Sequence, residues 1–294
     1  MTASPARRRQ LLAAALLCGV AFTGLTLSGC GKKDGGDAST AASAASASAS
    51  TASSGGARVY VVGTDAQYAP FESQNEKGEI VGFDIDVVKA VAAKAGIEVK
   101  FVNTPWEGIF NALNQGDRDL LVSAITITDQ RKQSMDFSSP YFDAVQLMAV
   151  KADAKVSKFD DLKPLKVGVQ TGTTGDEVVG KLQGKTSANL RRFESTPLAL
   201  KELEAGGLDA VVADNGVVIN YVANNSGAKF KTVGDPSFSP EQYGIAVKKG
   251  NAELLAKINK GLADIRADGT YDSIYKKYFG AAPGAAPAAS AASK

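Results

Sequence analysis

The sequence predicts an α/β fold of two lobes with a ligand cleft between them. Three observations carry that expectation. Strand-like and helix-like stretches alternate twice, from Arg58 to about Ser123 and again from Lys166 to Tyr221, the pattern of a mostly parallel α/β layer. Two apolar extended segments, near Phe142–Leu147 and Glu241–Ile245, lie where the chain would leave the first layer and return to it. Between two low-complexity ends remain about 220 residues, a length that suits one large domain or two modest lobes. If the last helices return to the first lobe, two strands join the lobes and the architecture is a hinge around a cleft. The expected division is 58–144 plus 242–279 for the first lobe and 145–241 for the second.

The elements follow in order. RVYVVG (Arg58–Gly63) is a β-branched strand ending in a turn-rich loop, and Glu72–Glu79 reads as a hairpin tip. A helix over Ile85–Ala95 has Ile85, Val88, Ala92 and Ala95 on one face, with Gly96 as its C-cap. Val99–Val102 is a strand, and Thr104-Pro105-Trp106-Glu107 opens a helix over Gly108–Gln115 closed by Gly116. The run Asp119–Ser123 reads as a buried strand. A long strand, Tyr141–Lys151, leaves this layer. In the second layer the strands are Lys166–Val169, Leu190–Phe193 and Asp209–Ala213. The helices there are Asp176–Leu182, Pro197–Ala205 and one running through Tyr221. A strand over Tyr243–Val247, an amphipathic helix over Asn251–Asp268 and a short helix over Asp272–Phe279 complete the chain.

The ends carry other information. Arg7-Arg8-Arg9 is a basic region, Leu11–Leu27 an apolar one, and Leu27-Ser28-Gly29-Cys30 has the form of a lipobox. Residues 1–29 therefore read as a removed lipoprotein signal peptide, with a plain signal peptide or a membrane anchor as the alternative, and the lipobox resemblance implies a lipid (diacylglyceryl and palmitate) on Cys30. Cys18 falls in the removed segment, so no disulfide is expected within the mature chain. Residues 30–57 form a lipidated cysteine and a flexible Ala/Ser/Gly linker, and 280–294 an Ala/Pro tail. Lys plus Arg number 33 against 31 Asp plus Glu, interspersed, so a nucleic-acid partner is not expected.

There is no histidine. Serine and cysteine nucleophiles lack their usual imidazole base, and Cys/His zinc sites are excluded. Gly175–Lys181 approaches a phosphate-binding loop, but Leu182 stands where a Ser or Thr would hold magnesium. The paired carboxylates Asp160-Asp161 and Asp84/Asp86 read as helix-start or solvated residues. No cofactor, metal or catalytic residue is expected.

The stretch SAITITDQRKQSMDFSSPY (Ser123–Tyr141) offers more. Thr128 and Asp129 are N-cap candidates for a short helix that carries Arg131 in its first turn. Arginine opposes the helix dipole there, which makes it a candidate fork for a carboxylate, with a plain surface arginine as the alternative. Asp65, Thr126, Gln170 and Asp214 each stand at or just past the carboxyl end of an expected strand, where open α/β sheets bind ligands. The turn Gly172-Thr173-Thr174-Gly175 starts a helix and can take an anion or be no more than that start. Asp214 is either an ammonium site or an N-cap. Tyr68 and Trp106 either sandwich a ligand side chain or belong to the core.

The motifs GTDAQYAPFE from Gly63, GFDIDV from Gly82, SAITITDQRK from Ser123, DFSSPY from Asp136, VGVQTGTT from Val167 and DGTYDSIYKKYFG from Asp268 carry a resemblance. With them the chain resembles the solute-binding proteins of polar amino-acid ABC transporters, the family of glutamine-binding and lysine/arginine/ornithine-binding proteins. The resemblance implies a two-lobed periplasmic-binding-protein fold (type II) that closes on a free L-amino acid. It implies Arg131 on the ligand α-carboxylate, with Thr126 and the Thr173/Thr174 turn assisting and Ser123 and Ala124 beside them. Asp214 would take the α-ammonium, Tyr68 and Trp106 the flanks of the side chain, and Asp65 its far end. It further implies permease and ATPase partners, a lipid-anchored monomer in the periplasm or at the cell surface, and no enzymatic activity. In the glutamine-binding pattern the position of Gln170 resembles a lysine that neutralises the aspartate. Here Asp65 would be a buried anion without a protein cation, which favours arginine or lysine as ligand. Glutamine is the alternative, held by Gln170 with a cation from elsewhere on Asp65. A dehydratase on the same fold and a surface sensor feeding no permease are the readings from other classes.

Overall fold

A computed structural model describes residues 58–225, 227 and 229–280. The expected signal peptide, Cys30, the linker and the tail beyond Gly280 lie outside the described residues.

The chain opens with β1 (Val59–Thr64), a small three-stranded sheet of β2 (Gln67–Tyr68), β3 (Glu72–Gln74) and β4 (Ile80–Val81), and α1 (Phe83–Ala95). Then come β5 (Glu98–Asn103), α2 (Ile109–Gln115), β6 (Leu120–Leu121), α3 (Asp129–Lys132) and β7 (Met135–Phe137). β8 (Phe142–Ala144) leads to β9 (Gln146–Lys151), a 3-10 turn over Phe159–Leu162, β10 (Val167–Gln170), α4 (Thr174–Gln183) and β11 (Leu190–Phe193). α5 (Thr196–Ala205), β12 (Ala210–Asp214), α6 (Asn215–Asn224) and β13 (Phe230–Val233) follow. β14 (Glu241–Tyr243), β15 (Ala246–Lys248), α7 (Ala252–Ala267) and α8 (Thr270–Phe279) close the fold.

Two five-stranded sheets result, one in the order β5-β1-β6-β15-β7 and the other β11-β10-β12-β9-β13. The first takes β15 from the far end of the chain, whereas the second is drawn from one uninterrupted stretch. The sheets are mixed rather than mostly parallel. β1 runs parallel to β5 and β6, and β10 to β11 and β12, but β15, β9 and β13 run antiparallel to their neighbours. The reversed strands β9 and β15 directly follow the two passages between sheets. The single strand expected over Tyr141–Lys151 is broken at Val145. β8 pairs only with β14 as an antiparallel two-stranded link, and β9 enters the second sheet. The return strand is likewise divided at Gly244, where an added Cβ would meet Ile127 at 2.9 Å. Strands β7 and β13 have no counterpart in the sequence-based expectation.

Each sheet is packed on both faces. Val62, Leu120 and Val247 of the first sheet join Val87, Val88 and Val91 of α1, Leu254, Ile258 and Leu262 of α7, and Tyr271 of α8. Its other face holds Leu121, Met135 and Ala246 against Ile109 and Leu113 of α2. Side-chain alternation in β12 sends Ala210 and Val212 to one face of the second sheet and Val211 and Ala213 to the other. At the passage between sheets Phe142 stacks on Tyr243, and Phe71 and Phe279 meet the cluster edge to face or tilted, with ring centroids 4.9–5.7 Å apart.

Gly82 sets the start of α1. Its φ is 143°, and a Cβ there would lie 2.0 Å from the Phe71 carbonyl oxygen. That close approach lets Phe83 and Asp84 donate their N–H groups to Pro70 and Phe71. Asp84 stands in the first turn of α1, as the helix-start reading expects, but is thereby turned inward and fully buried rather than solvated. Asp86 does reach the surface, paired with Lys277, and Asp160 and Asp161 lie in the first turn of the 3-10 segment.

Candidate ligand-binding site

The carboxyl ends of β1, β6, β10 and β12 converge on one cavity. Asp65, Tyr68, Trp106, Ser123, Ala124, Thr126 and Arg131 line it from the first sheet's side. Gln170, Thr173, Thr174 and Asp214 line it from the second. The eleven residues singled out in the sequence are its lining.

Arg131 enters from α3, whose N-cap Thr128 accepts the Arg131 N–H through its hydroxyl. The guanidinium donates to the Thr126 carbonyl at 2.9 Å and reaches toward the Gly172 carbonyl at 3.5 Å. It lies 5.2 Å from the ring centroids of both Trp106 and Phe110. No ion pair among the described residues includes it. Burial pulls its pKa down, opposed by the charges of Glu177, Asp214 and Glu241. It is a half-buried cation with donors left for a planar anion.

Asp214 occupies the N-cap position of α6, but its side chain makes no capping bond. The carboxylate instead accepts the hydroxyls of Tyr68 (2.9 Å) and Tyr243 and an N–H of Gln146. The structure thus separates its two expected roles, and the side chain faces the cavity. Burial raises its pKa to about 6, the nearby Glu241 charge adds to the rise, and the three hydrogen bonds hold it back. Tyr68 lines the cavity, and its hydroxyl ties the first sheet's side to Asp214 on the second.

Asp65 is 4% exposed. Its neighbours are amides, Gln170 Nε2 at 3.3 Å and Gln67 Nε2 at 3.4 Å, and burial raises its pKa. No ion pair among the described residues reaches it, so the cation that the glutamine alternative needs is absent there. Gln170 is oriented by Thr196, whose hydroxyl donates to Gln170 Oε1 at 3.0 Å, and by the Glu194 carbonyl, which takes Nε2–H at 3.1 Å. It therefore presents its N–H side to Asp65.

Sequence reasoning missed Glu241, Gln146 and Tyr243. Glu241 accepts the hydroxyls of Thr126 (2.6 Å) and Thr174 (2.9 Å) and an N–H of Gln146 (2.9 Å). Both threonine hydroxyls thus donate to a protein carboxylate. Thr173 caps α4, accepting the Asp176 N–H at 3.2 Å. Ala124 has φ 45°, the one non-glycine residue with positive φ among those described. Its turn is held from below by Glu72 and Asp84.

Two packed sheets joined by two short strands, with one polar cavity at their strand ends, define the bilobal architecture of a solute-binding protein. Residues 60–281 match the family described as bacterial extracellular solute-binding proteins, family 3, and the chain belongs to that family. A probable histidine-binding protein of Neisseria gonorrhoeae is 45% identical over 272 residues, covering 92% of this chain and 96% of that one. The arginine-, lysine-, histidine-binding protein ArtJ of Geobacillus stearothermophilus superposes with a TM-score of 0.75 at 44% identity, covering 77% of this chain and 97% of that one. An ancestral arginine-binding protein bound to glutamine superposes with a TM-score of 0.72 at 46% identity, covering 76% and 98%. These relatives are named as binding proteins, against the dehydratase alternative.

Proposed function

We propose that this chain captures a basic L-amino acid, arginine or lysine, for an ABC permease and its ATPase. One observation carries the reading: the cavity sets a single cation, Arg131, against two separate buried carboxylates, Asp214 and Asp65, and none of the three has an ion-pair partner among the described residues. Its complement is a solute with one anion and two cations. In this reading Arg131 takes the α-carboxylate, Asp214 the α-ammonium and Asp65 the side-chain cation, with Trp106 beside the stem. Ser123, Ala124, Thr126, Gln170, Thr173, Thr174 and Tyr68 complete the site. Closure brings residues 58–144 plus 242–279 against 145–241, with β8 and β14 as hinge.

Competition calorimetry over arginine, lysine, histidine and glutamine tests the reading. Arginine or lysine should bind most tightly. Displacement of arginine by glutamine, or arginine affinity unchanged in Asp65→Asn, removes it. Histidine enters the panel because two relatives carry it in their names. The mature protein is anchored by lipid on Cys30 as a monomer, in the periplasm or at the cell surface. Cys30→Ala should move it to the soluble fraction, and its persistence with membranes would point to an uncleaved anchor.

A further inference from the structure

Beneath the cavity two carboxyl groups are packed together with no cation. Glu72 of β3 and Asp84 of α1 are both fully buried, and neither forms an ion pair among the described residues. Each has one oxygen that already accepts from protein donors. Glu72 Oε1 accepts the Ser123 hydroxyl at 2.9 Å, and that hydroxyl accepts the Asp65 N–H at 3.1 Å. Asp84 Oδ2 accepts the Ala124 N–H at 2.8 Å and the Tyr141 hydroxyl at 2.7 Å. The other two oxygens, Glu72 Oε2 and Asp84 Oδ1, are buried without a hydrogen-bond partner, and the two carboxyl groups are close enough for each to shift the other's pKa.

Two neighbouring buried carboxyl groups with unpartnered acceptor oxygens repel unless a proton lies between them. Two protons are no better, because the oxygens that already accept hydrogen bonds leave both O–H groups to the two unpartnered positions. One proton satisfies both orphan atoms. We propose that Glu72 and Asp84 share a single proton between Glu72 Oε2 and Asp84 Oδ1, and that this pair is the mount holding the strained Ser123–Ala124 turn in the cavity wall. The titratable groups around the pair are Asp65, Tyr68 and Tyr141, and none supplies positive charge. Burial first, then the Asp84 charge, pushes the Glu72 pKa well up, which places the proton on Glu72. Both are positioning residues, acting through Ser123 and Ala124. The inference holds whichever amino acid binds.

The test uses the full chain and three variants: Glu72→Gln, Asp84→Asn and the two together. Either single amide replaces the shared proton with a permanent donor and keeps one donor against one acceptor. The double variant sets two donors against each other. Each single variant should melt within about 3 °C of the parent, and the double roughly 5–10 °C below the sum of the singles. Amide exchange at Ala124 and Asp65 should speed up in the double variant only. Infrared spectra at about pH 8 provide a reading that does not depend on the double variant folding. The parent should show a buried protonated-carboxyl band that both single variants lose. Additive melting shifts, unchanged exchange at Ala124 in the double variant, or no such band in the parent would overturn the proposal.

Discussion

Acid should loosen the grip on the ligand through Asp214. The perturbation is a titration from about pH 8 to about pH 5 with arginine as ligand, whose carboxylate and guanidinium keep their charge and whose α-ammonium changes only at the upper end of that range. Asp214 titrates at about 6 in the ligand-free chain, and only its ionised form attracts the ligand ammonium. The ionised fraction is then about 0.99 at pH 8, about 0.5 at pH 6 and about 0.09 at pH 5. Apparent affinity falls about tenfold, close to 1.4 kcal/mol, and binding at pH 6 releases about half a proton. Asp65, also raised by burial, acts in the same direction. Calorimetry in two buffers of different ionisation enthalpy measures both affinity and proton release. Asp214→Asn should bind weakly and lose this share of the pH dependence. A dissociation constant that changes less than about twofold between pH 8 and pH 5 would refute the assignment. The ligand-free fold responds with the opposite sign. Because the folded pKa is raised, the stability contributed by Asp214 is fully present below about pH 4 and is lost as pH rises through about 6.

Arg131→Ala should cost about 2–5 kcal/mol of binding, and Arg131→Lys should recover little, since the fork and the contact with Trp106 are lost; unchanged affinity in Arg131→Ala would remove the carboxylate site. Thr196→Val frees the Gln170 amide to rotate, so arginine affinity should fall by about 0.5–1.5 kcal/mol while glutamine's does not, and competition binding that shows equal losses would contradict the oriented-amide reading. Gly82→Ala should lower stability by at least about 2 kcal/mol in denaturant melts, because its backbone conformation and the Phe71 carbonyl leave no room for a Cβ. A midpoint unchanged in that variant would mean the turn can shift.

The parts of the site legible in the sequence were those tied to a local pattern. Asp65, Gln170 and Asp214 each follow a β-branched or apolar run, and strand ends of an α/β layer converge by topology. Thr128 and Arg131 were legible as cap and first-turn residue of one short helix. Glu241 and Gln146 were not, because they contact partners 115 and 95 residues away, from strands without periodic sequence. The burial of Asp84 was equally hidden: an acid in a first helical turn looks the same whether it faces water or a neighbouring carboxyl. Strand β13 escaped because it is an edge strand with only partly buried side chains. The mixed direction of the sheets followed from the breaks at Val145 and Gly244, which cannot be told from a continuous strand by apolar content.

The way the two sheets are drawn from the chain has a kinetic consequence. The second sheet needs nothing outside residues 146–233, so its strands can pair before the rest of the chain is present. The first lacks its fourth strand until Lys248, and its aromatic cluster lacks Phe279 until almost the last residue described. A chain emerging N-terminus first therefore carries β1, β5 and β6 as an unfinished template with an open edge, and long-range pairing of that kind is slow. Interception by binders of unfolded chains should thus centre on the first half of the sequence, and truncation before α8 should leave one folded lobe and one that chaperones or proteases recognise.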